Sequence, residues 1–446
     1  MKPYPLVPER PLIIRAKWLY FSVSIISSTF IYILFATEPA LCLFLIDLVL
    51  CANLAWLFKS RLKYLLFLHP FIMLVSGNFF HAPFLEGGDG LMYGGVVDSY
   101  TSSENGLVDS SSIIGGFSQL GIISFLKFAS LGAIPVFILP PLLFDAPSQE
   151  IYYFFQGVLL VLLITFFSVI IKSWRVIPDN LLFSIVCFSI ISPTFFELGV
   201  APTRHYLTYI GLFVFISSYI ALIDRYNLNR FIWFSFAILL TAISKMAYLP
   251  LMLAFIISDQ ILIRKIRLTK QAVVFSALVL VFVFVFLGGY VVSLFNLYSG
   301  ISEEGGNRLG YLATVPVLGS IFKYIFALLA PFPWHEVSAI TAESYSGNYF
   351  IFVMHILSSL FGLYFFSVAA LRYRTIRIID TTAKTILLFG FMMTLSIVFG
   401  STGFHGYIAI FFPFMAPLLL YKPLRILPVI PIGFAVLAQL IIIVVN

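Results

Sequence analysis

The sequence predicts an all-α integral membrane protein: a polytopic transmembrane helical bundle of about 13 spans, with residues 1–446 forming a single integral membrane domain. Three observations predict it. First, 61% of the 446 residues are hydrophobic and only 10% are charged, with a mean hydropathy of +1.06; soluble enzymes, secreted disulfide scaffolds and disordered chains do not carry such a composition. Second, apolar runs of about 17 to 25 residues recur along the whole chain, each long enough to cross a hydrocarbon layer of about 30 Å. Third, Lys and Arg gather into short clusters between those runs, in the alternation expected of loops that face the cytoplasm.

Taken in order, the basic stretch with Arg10, Arg15 and Lys17 leads into an apolar run ending near residue 36. It resembles a signal peptide but is long enough to span, and reads as an uncleaved first helix. Runs near 39–58, 64–80, 150–171, 179–197, 204–223, 271–295, 349–371, 383–400, 406–421 and 427–445 complete the clear spans. Two regions are ambiguous. The stretch 112–144 is broken by Lys127, Pro140 and Pro141, and 230–262 by Ser244, Lys245 and Pro250, so each is a short helix pair or a re-entrant hairpin. Cys42, Cys51 and Cys187 lie inside apolar runs without metal-ligand spacing and read as small core residues.

Positive charge sets the parity of the loops. With the N-terminus inside and both ambiguous regions entering and leaving on one side, the clusters Lys59/Arg61/Lys63, Lys172/Arg175, Arg225/Arg230, Arg264/Lys265/Arg267/Lys270, Arg372/Arg374/Arg377 and Lys422/Arg425 all face the cytoplasm. Of the 26 basic residues, only Arg204, Lys245, Arg308 and Lys323 then fall at or near the outer face, together with most of the acidic residues. Although the net charge is +7 and the pI near 9.1, an outer surface of this kind argues against nucleic acid as a partner.

The same arithmetic places three long segments outside, 81–112, 296–318 and 331–349. Their Gly, aromatic and carboxylate content suits sugar ligands, since rings stack on Tyr and Trp while acids accept hydrogen bonds from hydroxyls. In the first, Asp89 and Asp98 beside Tyr93 could orient or deprotonate a sugar hydroxyl, or simply form a solvated turn with Gly88 and Gly90. In the second, Arg308 sits among Gly305, Gly306 and Gly310, where the backbone can close over a phosphate; pairing with Glu303 or Glu304 is the alternative. The third carries Trp334 as a stacking platform and His335 next to Glu336 as an acid/base candidate. His405, in STGFHGY, is a similar candidate.

Arg204 follows Pro202 where a span opens, with His205 after it. Free backbone N–H groups, the helix dipole and a forked guanidinium all favour phosphate oxygens there, unless the side chain snorkels or pairs with Glu197. Lys245 is embedded in an apolar stretch, where a charge costs about 2.5 to 3.5 kcal/mol unless it is paired or faces water; it serves a site or pairs with an acid such as Asp47. The six histidines show no HExxH or other metal spacing, and no P-loop or dinucleotide fingerprint is present, so neither a metal nor a nucleotide cofactor is expected.

The run SPTFFELGVAPTRHYLTYIGLFVF, followed by SYIALIDRYNLNRFIWFSFAILLTAISKMAYLPLML, resembles the core of the bacterial O-antigen and exopolysaccharide polymerase family, the Wzy and EpsG-like proteins. Arg204/His205 and Ser244/Lys245 occupy the places of that family's polar pairs, and GGDGLMYGGVVDSY is similar to its first external loop, with Asp89 and Tyr93 at matching positions. About 60 residues carry the likeness well; where family members have an Arg near the outer end of a late span, this chain has His405. The resemblance implies a multi-pass protein of the bacterial inner membrane, with its N-terminus in the cytoplasm. It also implies transfer of a glycan from undecaprenyl pyrophosphate to a new lipid-linked repeat unit at the periplasmic face, with a chain-length regulator as a further partner. Asp89, Arg204, His335 and His405 would act in catalysis, and Tyr93, His205, Lys245, Arg308 and Trp334 in substrate binding. Two other functions stay open: a flippase or exporter of lipid-linked oligosaccharide, and a GT-C-like glycosyltransferase that adds one sugar.

Overall fold

The computed structural model describes residues 11–58, 60–79, 133–145, 149–192, 205–245, 248–264, most of 357–369, 380–395, 410–420 and 433. The described residues are helical apart from short turns, and include no strand. Three helices are long and apolar enough to cross a membrane: Pro39–Leu57, Ile151–Trp174 and Tyr206–Asp224. The chain divides into two compact units, Met1–Ser244 with Ser338–Phe352, and Lys245–Val337 with Val353–Asn446.

In the first unit α1 (Pro11–Phe35) turns at Glu38 into α2 (Pro39–Leu57), whose proline stands in the first turn, where a missing N–H costs nothing. A 3-10 run, Arg61–Phe67, is opened by the Ser60 hydroxyl accepting from Leu62 N–H, and passes into α3 (Leu68–Phe79). Pro70 explains the change of pitch: it has no N–H for the Leu66 carbonyl, and its ring crowds an α-helical turn before it. The apolar run 64–80 is thus one rod of two pitches. In the stretch expected to break at Pro140 and Pro141, α4 (Ala133–Leu143) instead continues through both prolines and ends two residues later. Near a C-terminus few intrahelical bonds are left to lose, and the Leu143 carbonyl is taken by the Tyr32 hydroxyl at 2.6 Å.

Helix α5 (Gln149–Trp174) packs against α1, α2, α3 and α4. Its Gly157 lets Met73 of α3 approach so closely that a Cβ there would stand 2.6 Å from the Met73 Cε. α6 (Asp179–Ile191) is shorter than the apolar run 179–197, because Ser192 precedes Pro193 and takes an extended conformation (ψ 132°) in place of the helical one. α7 (His205–Asp224) and α8 (Leu228–Lys245) form an antiparallel hairpin around Arg225, Tyr226 and Asn227. At their crossing Gly211 meets Thr241, and Phe215 stacks near Phe234 with centroids 5.3 Å apart.

Burial in this unit is arranged for lipid. Along α1, Leu19, Val23, Ile26, Phe30 and Ile33 form an exposed stripe at three- and four-residue spacing, and Leu228, Ile232, Phe236 and Leu239 repeat the pattern on α8. Water would not tolerate two such faces; hydrocarbon does.

The second unit contains α9 (Leu249–Ser258), its π-helical extension Asp259–Ile263, α10 (Thr381–Thr394) and a 3-10 segment, Phe412–Leu420. The ambiguous region 230–262 therefore falls into two helices, the second with Pro250 in its first turn. Pro413 and Pro417 account for 3-10 pitch where a plain span, 406–421, is expected. Phe389 joins the elements, with rings 5.0 Å from both Phe255 and Phe414, and Gly390 lets the Phe414 backbone close in.

Candidate functional site

Two of the expected site residues lie among those described. His205 is the first residue of α7 and Lys245 the last of α8. Because the two helices run antiparallel and meet at Gly211 and Thr241, the first turn of α7 and the last turn of α8 lie at the same end of the hairpin. Arg204 directly precedes α7 in sequence. Arg204, Asp89, Tyr93, Arg308, Trp334, His335 and His405 lie outside the described residues, as do the segments 81–112, 296–318 and 331–349.

The opposite end of that hairpin gathers charge. Arg230 donates to the Ala221 carbonyl at 2.6 Å, the Arg225 carbonyl at 3.0 Å and the Trp174 carbonyl at 3.4 Å, so one guanidinium ties the ends of α5 and α7 to the start of α8. Lys172 pairs with Asp179 across the α5–α6 turn and stands 5.0 Å over the ring of Phe58, which itself packs on Phe183. The basic turns after α2, α5 and α7 are therefore neighbours at one end of the first unit. The starts of α2, α5 and α7 are at the other end.

Sequence reasoning missed two buried clusters. In the first unit the Asp47 carboxylate, at mid-helix in α2 and fully buried, lies 2.7 Å from His69 Nδ1 on α3 and accepts from the Cys51 thiol at 3.7 Å. Cys51 is fully buried and His69 nearly so. This carboxylate, thiol and imidazole form the only group of three or more metal-ligating side chains among the described residues, with ligand atoms within 4.8 Å of one another. Asp47 thus belongs to His69 and Cys51, not to the pairing with Lys245 that its sequence context suggested. Four-residue spacing on one helix face could have joined Asp47 to Cys51; only packing brings in His69.

In the second unit Asp259 is fully buried at the head of the π-helical turn. One oxygen accepts from Arg264 Nε at 2.8 Å and the other from the Thr385 hydroxyl of α10 at 2.7 Å. Arg264 N–H closes the π turn on the Asp259 carbonyl at 3.0 Å. The acid holds two elements together and neutralises a half-sunk arginine.

No family model, curated protein or solved structure matches the chain.

Proposed function

We propose that this chain polymerises undecaprenyl-pyrophosphate-linked oligosaccharide repeat units into O-antigen or a related surface polysaccharide, as a multi-pass protein of the bacterial inner membrane acting at its periplasmic face. The observation that carries the reading is the α7–α8 hairpin. Its two ends differ: one gathers Arg225, Arg230, Lys172 and Arg175, while the other is where α7 opens after Arg204 and α8 closes on Ser244 and Lys245. If the first end faces the cytoplasm, as basic loops do, the polymerase-like pairs Arg204/His205 and Ser244/Lys245 face the periplasm together.

In this reading the reaction breaks the bond between the glycan's anomeric carbon and pyrophosphate, and forms one to an acceptor hydroxyl oxygen. Cations stabilise the departing pyrophosphate, a task suited to the Arg204 guanidinium beside the free N–H groups of α7, with Lys245 and Arg308 in support. The hydroxyl proton passes to a positioned base, for which Asp89, His335 and His405 are candidates. His205, Tyr93 and Trp334 would hold the sugars, and a chain-length regulator would act from outside the chain. Pyrophosphate is a good leaving group already, so the reaction does not demand a metal.

The test is the lipopolysaccharide or capsule profile of a strain lacking the protein, on a gel that resolves single repeat units. Loss of the long ladder with one unit still attached is expected. Loss of every unit would point instead to export or to an earlier sugar transfer, and an unchanged profile would refute the reading for that polymer. Complementation with Arg204→Ala is expected to leave the ladder absent although the protein inserts, and Arg204→Lys to recover little, because a point charge does not reproduce bidentate phosphate contact.

A further inference from the structure

We propose that Asp47, Cys51 and His69 form a binding site for a divalent transition metal of intermediate softness, such as Zn2+, inside the first unit. The site is independent of the sugar chemistry proposed above. Carboxylate, thiolate and imidazole are the three ligand types such ions take from proteins. All three converge here from two helices, with Asp47 and Cys51 fully buried and His69 2% exposed.

The distances support coordination with little rearrangement. Around a tetrahedral ion with bonds of about 2.0 Å to O and N and about 2.3 Å to S, neighbouring ligand atoms stand about 3.5 Å apart for S and O, and about 3.3 Å apart for N and O. Cys51 Sγ and Asp47 Oδ1 are 3.7 Å apart, already at that spacing. His69 Nδ1 and Asp47 Oδ2 are 2.7 Å apart, so seating an ion requires that pair to open by about 0.6 Å, within reach of a small side-chain rotation. A carboxylate binding through both oxygens would bring the donor atoms to four without any further residue.

Charge favours the same conclusion. A divalent ion held by carboxylate, thiolate and neutral imidazole makes a complex with no net charge, which suits a dry interface between two membrane helices better than any singly charged arrangement. The thiol proton leaves for solvent as the metal–sulfur bond forms, and no oxidant or reductant is needed. The ion would clamp α2 to α3.

The experiment uses the full chain, purified in detergent without a histidine tag, stripped with chelator and titrated with Co2+ as a spectroscopic stand-in for Zn2+. Uptake of about one ion per chain is expected, with visible bands of tetrahedral cobalt and a near-ultraviolet thiolate-to-cobalt band. Cys51→Ser is expected to lose the thiolate band, while Cys42→Ser and Cys187→Ser keep it. His69→Gln gives a second reading through altered visible bands and weakened uptake. A wild-type protein that takes up no Co2+ or Zn2+ overturns the proposal and leaves a hydrogen-bonded triad; so does a thiolate band that survives Cys51→Ser.

Discussion

Gly211→Ala in α7 tests the closeness of the α7–α8 hairpin. A Cβ at Gly211 would stand 2.6 Å from the Thr241 hydroxyl oxygen, 3.2 Å from the Thr241 nitrogen and 3.4 Å from its Cα. Ordinary carbon contacts lie at about 3.5 to 4.0 Å, so the hydroxyl must swing away and the helices must part by a few tenths of an ångström. The hydroxyl now donates to the Ala237 carbonyl at 2.8 Å, and giving up that bond costs about 0.5 to 1.5 kcal/mol. Overpacking of this kind costs about 1 to 3 kcal/mol in all, so a loss near 2 kcal/mol is expected. Cys42, Cys51 and Cys187 are free and buried, which makes a thiol-reactive fluorophore a direct reporter of unfolding in detergent. Thr241→Ala alone should shift the midpoint little, while Gly211→Ala should lower it by several degrees at a fixed heating rate. The double variant should recover most of that loss, leaving only the 3.2 Å contact with the Thr241 nitrogen. A double variant no more stable than Gly211→Ala would refute the claim that the Thr241 hydroxyl is the obstacle, and a neutral Gly211→Ala would refute the close crossing itself.

Other outcomes follow from the ion pairs. Asp259→Ala strips Arg264 and Thr385 of their shared acceptor and should cost about 3 kcal/mol, the lower end for breaking a buried pair because Arg264 keeps some solvent contact; Thr385→Val, which removes a single hydrogen bond, should cost about 1 kcal/mol in the same thiol assay. Arg230→Ala should destabilise by about 1 to 2 kcal/mol, with Arg230→Lys restoring only part, since an ammonium cannot span the Ala221, Arg225 and Trp174 carbonyls together; full recovery in the lysine variant would show that charge alone matters there.

Helices α2, α5 and α7 were legible because their apolar runs are long and uninterrupted: the run 204–223 becomes His205–Asp224. Departures arise where proline acts through the backbone and hydropathy cannot register it, as at Ser192 before Pro193, at Pro70, and at Pro413 and Pro417. Of the candidate site, the sequence pattern located the helix ends at His205 and Lys245. It could not anticipate partners far along the chain: His69 lies 22 residues from Asp47, and Thr385 lies 126 from Asp259, distances that no spacing motif covers. A buried acid in an apolar run announces that a partner exists; only packing names it.

The turn at Asp259–Ile263 has a consequence for helical phase. Closing the chain through an i to i−5 bond inserts one residue relative to an α-helix, so Arg264 is rotated by about 100° from the face it would otherwise occupy. That extra step lets an arginine five residues after an aspartate fold back onto it while the aspartate still presents its second oxygen to Thr385. Deleting a single residue from Gln260–Ile263 would restore regular pitch and turn everything beyond by the same angle, sending the guanidinium to a different azimuth. A one-residue length change here is thus equivalent to a rotation of the following segment, and homologous chains that keep the acid but lack the extra residue should carry their basic partner one position earlier.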